Sequence, residues 1–277
     1  MAHRYSTDDM SLQTNIATLH SVCSGDESYQ VSRRFCQVVD AHITLGLHRL
    51  GPEDDTPLAQ WRRLLAASTD YQDKANSSFN ARPPMLTSYW CRRRAFSDIN
   101  NKLMFMTPVP QFRQEIAKLD MIGWNTAGEV HDITWARTLY SMVPVREKIL
   151  ELSLGIEVEV LPDQIESLLH YLDDIVAGWP SQLRMSESQL QSFTGLSLFR
   201  ILRNHVEYLQ NKFLLERLRV GRCNGNGQNL LSVSVEMMRT ILNFWTKRDQ
   251  LSLFNANFDW MVVCYGKMHE IWVRIHD

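Results

Sequence analysis

Apolar positions along this chain recur at helical rather than alternating spacing. From Tyr29 to Leu47, Val31, Phe35, Val38, Val39, His42 and Leu45 fall on one face, which predicts an amphipathic helix. An earlier helix is expected over Asp8 to Cys23, where Met10, Ile16, Leu19 and Val22 recur, before a break at Ser24-Gly25-Asp26-Glu27. After an exposed acidic turn from Gly51 to Pro57, a helix carries Trp61, Leu64, Leu65 and Ser68 and runs to about Phe79. Pro83-Pro84 stops it there, since proline lacks an N–H and drives the preceding residue toward extended backbone. Further helices are predicted from Gln111 to about Leu119, around Thr134–Arg137, from Arg146 to Gly155 and from Pro162 to Ala177. Pro162 sits in the favoured first-turn position, and Gly178-Trp179-Pro180 closes that helix. Ser186 to Gln189 fits a capping box. The longest predicted helix spans Leu196 to Val220, with Gly221 to Gly227 as a loop, followed by helices over Leu230 to Asp249 and Phe258 to Ile275.

No convincing strand, internal repeat or low-complexity segment interrupts this pattern. The fold class it predicts is all-α, a single multi-helix domain over residues 1–277 with about eight to ten helices. Composition agrees with that class: 277 residues, 44% hydrophobic and 22% charged, suffice for a buried core. A net charge of −2 argues against direct nucleic-acid contact by this chain. No run is long and apolar enough to predict a membrane span, and the N-terminus has no secretory apolar region. The five cysteines, Cys23, Cys36, Cys91, Cys223 and Cys264, are scattered and form no Cys-x-x-Cys pair, so they read as free thiols without a zinc cluster.

Asp73-Lys74, a short run, Ala81, then Arg82-Pro83-Pro84, Leu86-Thr87 and Tyr89-Trp90-Cys91 make a more specific pattern. It resembles the central motif of the fungal-specific transcription factor domain, the middle homology region downstream of zinc binuclear cluster DNA-binding domains. Leu45-Gly46-Leu47-His48-Arg49 resembles the landmark preceding the Asp-Lys helix in that family. The Gly123-Trp124-Asn125-Thr126 string with Gly128, the Trp135-x-Arg137 helix and the Glu151 to Gly155 ending resemble a subgroup of it. Asn211 to Leu218, Trp245 to Asp249 and Phe258-Asp259-Trp260 resemble the family's C-terminal half, so the likeness covers residues 35–275. The chain departs from the pattern at Ala81, where the family commonly has glycine. If that position needs a positive φ, alanine is strained there by about 1 kcal/mol. On physical grounds alone, Gly123 and Gly128 flank a turn in which Asn125 tolerates a left-handed conformation and a buried Trp124 anchors the loop.

Candidate chemistry is sparse. Asp173-Asp174 is followed by Ile175-Val176-Ala177 and reads as a solvated helix face rather than a Mg²⁺ site. The nine histidines lack His-x-x-x-His spacing with a third ligand, and no nucleophile elbow, Walker loop or dinucleotide fingerprint occurs. His20 and Cys23 could meet on a helix but have no orienting third group. Cys91 lies beside Arg92-Arg93-Arg94, a basic run that reads as a solvated face. No catalytic residue, metal ligand or cofactor is therefore expected in this chain. The ligand-pocket candidates are Arg82, Trp90 and Trp124, a cation and two aromatics placed on predicted loops.

The resemblance implies a nuclear regulatory module controlling transcription from RNA polymerase II promoters. It further implies a small-molecule effector or a protein co-regulator as partner, and it admits a homodimer. DNA recognition and zinc would belong to a separate cysteine-rich segment that this chain lacks. The ending at Asp277, just after a helix with no evident cap, is what a truncated gene model would leave. The alternative is a stand-alone helical protein derived from the same scaffold, binding a ligand or partner or catalysing a step of secondary metabolism.

Overall fold

A computed structural model describes residues 28–51, 55–106, 108–186, 190–191 and 193–247. Among these residues all regular structure is helical, with one isolated antiparallel bridge between Leu119 and Asn125. The all-α fold is therefore what the 3.6-residue periodicity dictates. No helix among the described residues is long and apolar enough to cross a membrane. The helices predicted over Asp8–Cys23 and Phe258–Ile275, and the Glu187–Gln189 part of the capping box, lie outside the described residues.

The chain divides into two compact units, the first ending at Val143 and the second starting at Pro144. The first unit opens with α1 (Ser28–Thr44), which buries Phe35, Val38, Val39 and His42 along the predicted face. Gly46 then takes a left-handed conformation, φ 70°, and starts a 3-10 turn at Leu47–Arg49. Helix α2 (Pro57–Asn80) is capped by Thr56, whose Oγ1 accepts the Ala59 N–H at 3.2 Å, with Pro57 at the first helical position. Ala81 ends α2 in the left-handed region (φ 50°, ψ 44°), and the N–H groups of Ala81 and Arg82 both point to the Ser77 carbonyl. The helix thus stops before the proline pair, by a left-handed cap at a residue that is not glycine.

Residues 85–100 are without regular secondary structure beyond a turn at 85–90. Short helices α3 (Asn101–Met106) and α4 (Val109–Ile116) follow, then α5 (Asp132–Ser141). Helix α4 starts at Val109, ahead of the predicted Gln111, because Pro110 fits the first turn, where its missing N–H is not needed. Leu47, Leu50, Trp61, Leu65, Phe96, Ile99, Met104, Phe112 and Ile133 form one apolar core of this unit, and Phe35, Val38, Val39 and Leu86 a smaller one.

The second unit contains α6 (Val143–Leu154) from its second residue onward, then α7 (Pro162–Ala177), α8 (Gly195–Cys223) and α9 (Gln228–Thr246). Helix α8 packs against both α7 and α9, burying Leu198, Ile201, Leu202, Leu209 and Phe213. Phe199 meets Phe244 of α9 edge-on at 6.0 Å. The predicted loop over Gly221–Gly227 begins three residues late: Gly221, Arg222 and Cys223 are helical, and Asn224 supplies the left-handed cap at φ 53°. Asparagine tolerates that conformation, so Gly221 is not needed to end the helix.

Candidate functional site

Helix α2 carries a row of buried polar side chains, uncommon for a helix interior: Gln60, Asp70, Gln72, Asp73, Lys74 and Asn76. Burial of charge is tolerable only with partners, and here the partners are specific. Lys74, 1% exposed, donates from Nζ to Asp70 Oδ1 at 2.6 Å, to Asp73 Oδ2 at 3.1 Å and to the Leu86 carbonyl. Those three acceptors match the three donors of an ammonium group. Asp73 in turn accepts the Met85 N–H on Oδ1 at 3.0 Å and the Leu86 N–H on Oδ2 at 2.8 Å. Arg93 Nε closes the set on Asp70 Oδ2 at 2.7 Å. Arg93 is therefore turned inward, which corrects the reading of Arg92-Arg93-Arg94 as a wholly solvated face.

Beyond the turn at 85–90 the chain runs back along α2. Gln60 Oε1 accepts the Ser97 N–H at 2.9 Å, and Gln60 Nε2 donates to Ser97 Oγ at 3.1 Å. Asp73 thus holds residues 85–86, Asp70 holds Arg93 and Gln60 holds Ser97, so the segment runs antiparallel to α2 as a strap. Its backbone has no ladder of its own: Met85, Leu86 and Ser97 bond to side chains of the helix, and the Arg92 N–H to the His48 carbonyl.

A second cluster fixes the far end of the strap. Asp98, fully buried, accepts Thr134 Oγ1 on Oδ1 and the Asn125 backbone N–H and Nδ2 on Oδ2, while its own N–H donates to the Gly123 carbonyl at 2.9 Å. Arg137 of α5 donates to the carbonyls of Phe96 and Ile122 and lies 4.6 Å over the Trp124 ring. Burial pulls the Arg137 guanidinium below its ordinary value, with Asp98 and Asp120 opposing. Gly123 is held at φ 89°, and a Cβ there would sit 3.2 Å from Arg137 Nη2. Asn125 does not take the left-handed conformation expected of it; its amide bridges Asp98 and both backbone groups of Glu129. The side chain does the work that a left-handed backbone would otherwise do.

Two titratable groups feel the Asp70 cluster. His42, buried on α1, is lowered to about 4, by burial first, with Asp70 opposing and His48 and Lys74 adding to the shift. Tyr140 is raised, by burial first and then by Asp70.

The structure puts the three pocket candidates in three different settings. Trp124 is buried beneath Arg137, Arg82 is half-buried at the elbow after α2, and Trp90 is 68% exposed, edge-on to Tyr89 at 4.5 Å. Cys36, Cys91 and Cys223 are free thiols, and among the described residues no cluster of three His, Cys, Asp or Glu could hold a metal ion. Asp173 is exposed, as expected of it, and accepts Tyr208 Oη at 2.7 Å and Lys212 Nζ.

The second unit has a buried ion cluster of its own. Arg146 donates from Nε to Asn211 Oδ1 at 2.6 Å and from Nη2 to Glu207 Oε1 and Gln210 Oε1, each at 2.9 Å. Sequence reasoning missed both this cluster and the strap. The one legible signal was Asp70–Lys74 at i,i+4, with the acid N-terminal to the base, a pair that reads equally well as a surface contact.

Comparison with known proteins returns no match: no described family, no curated protein and no solved structure resembles the chain closely enough to assign it.

Proposed function

We propose that this chain is the regulatory module of a transcription factor of the fungal-specific type, acting in the nucleus on RNA polymerase II promoters. DNA binding would reside in a separate zinc-cluster segment. The observation that carries the reading is that the residues behind the resemblance act together. Asp73 and Lys74 grip the backbone at Met85 and Leu86, directly after Arg82-Pro83-Pro84. Ala81, where the family pattern commonly has glycine, has a positive φ of 50°. A motif whose ordered parts serve one turn is harder to assemble by chance than the same residues scattered over unrelated elements.

The chemistry of the cluster supports a structural rather than a reactive role. Asp70, Asp73, Lys74 and Arg93 are engaged with one another and with main chain, as a scaffold that presents a surface requires. A small-molecule effector or a protein co-regulator would act on that scaffold.

The test fuses residues 1–277 to an unrelated sequence-specific DNA-binding domain in a fungal cell carrying a matching promoter reporter. The reading predicts activation or repression that depends on the fused chain and falls with Asp73→Asn. A stably present, nuclear fusion that leaves the reporter unchanged would overturn it and favour a stand-alone ligand- or partner-binding protein.

A further inference from the structure

The strap has an outer side that the internal network leaves unused. Arg93 points in to Asp70 and Phe96 is buried in the core, whereas Arg92 and Arg94 are exposed. Just before them, Tyr89 and Trp90 are 82% and 68% exposed and pack edge-on against each other. The Arg92 N–H donates to the His48 carbonyl at 2.9 Å, which sets the segment carrying exposed Arg49 beside the strap. No carboxylate among the described residues pairs with Arg49, Arg92 or Arg94. Arg93, Arg137 and Arg146, by contrast, are each committed to internal acceptors.

We propose that Tyr89, Trp90, Arg92, Arg94 and Arg49 form a docking surface for an acidic, aromatic- or leucine-bearing segment of a partner protein. The warrant is complementarity of charge and of contact type. Three guanidinium groups with no paired carboxylate among the described residues favour carboxylates, bidentately where geometry allows. Two exposed aromatic rings offer apolar area and rotamers with little entropy to lose. The surface is held rigid from behind by Asp70, Asp73, Gln60 and Arg137, so little ordering would be needed on binding. The chain's net charge of −2 favours an acidic peptide over nucleic acid, because repulsion by the remainder of the surface acts on a polyanion at every phosphate. The inference concerns this surface alone and stands apart from the transcriptional reading.

The test is a fluorescence-anisotropy titration of the purified 277-residue chain. The probes are a labelled peptide of about 20 residues interspersing Asp and Glu with Leu and Phe, the same peptide with lysine for each acid, and a single-stranded oligonucleotide. The acidic peptide is expected to bind, more weakly as salt rises from about 50 to about 300 mM. Affinity should fall about tenfold or more in Arg92→Glu/Arg94→Glu and, separately, in Trp90→Ser. These side chains are exposed, so thermal melting of the variants should match that of the parent chain. No binding of the acidic peptide, equal binding by the variants, equal binding of the lysine peptide, or tighter binding of the oligonucleotide would each overturn the proposal. A reporter left unchanged by the fused chain, beside intact peptide binding, would fault the transcriptional reading only.

Discussion

Ala81 shows most clearly how a single residue carries strain in this fold. At φ 50° a Cβ is crowded by its own backbone, and the left-handed cap persists because Ser77 accepts both terminal N–H groups and the strap is held beyond it. Ala81→Gly should therefore stabilise the protein by about 1 kcal/mol, read as a higher urea midpoint at unchanged slope. The buried ions make the opposite case. Lys74→Met leaves Asp70 and Asp73 facing each other without their shared cation and should cost about 3–5 kcal/mol. Replacing Asp73 by Asn in the same chain should recover part of that loss, a non-additivity that a double-mutant cycle measures directly.

At the scale of elements, Gly155 sets how closely the chain after α6 can return. A Cβ on it would lie 2.5 Å from the Glu151 carbonyl oxygen and clash with the Val158 side chain. Gly155→Ala should destabilise by about 1–3 kcal/mol in thermal or urea unfolding, with helical content retained. Helices were the legible part of this chain, because amphipathic stripes such as Phe35–Val38–Val39–His42 and Ile165–Leu169–Leu172 are written at fixed spacing. Their ends were less legible. Asn224 displaced the expected end of α8 from Gly221, since either residue can cap and only packing decides. The strap over 85–98 was not legible at all. The side-chain hydrogen bonds that fasten it span 12 to 41 positions, as in Lys74–Leu86 and Arg137–Phe96, and no local pattern encodes partners at those separations. Likewise the inward Arg93 and outward Arg92 and Arg94 are indistinguishable in sequence, and only Asp70 separates their roles.

Over the whole molecule, stability should carry the imprint of His42. Its folded-state value of about 4 lies below the 6.5 of the unfolded chain, so the unfolded state binds the proton more readily between those values. The corresponding stability is present above about pH 6.5 and is lost as pH falls toward 4. Equilibrium unfolding at a series of pH values should show that loss, and His42→Leu should flatten the part of the curve that His42 contributes. In the wider account, a strap that buried ions fasten to α2 presents an outer surface, and that fastening is the central claim. Amide hydrogen exchange of the full chain, with and without Asp73→Asn, tests it most directly. The account predicts slow exchange at Met85 and Leu86 in the parent chain and markedly faster exchange at both in the variant, with α2 still protected. Exchange at those two amides that is already fast in the parent, or unchanged by the substitution, would contradict it.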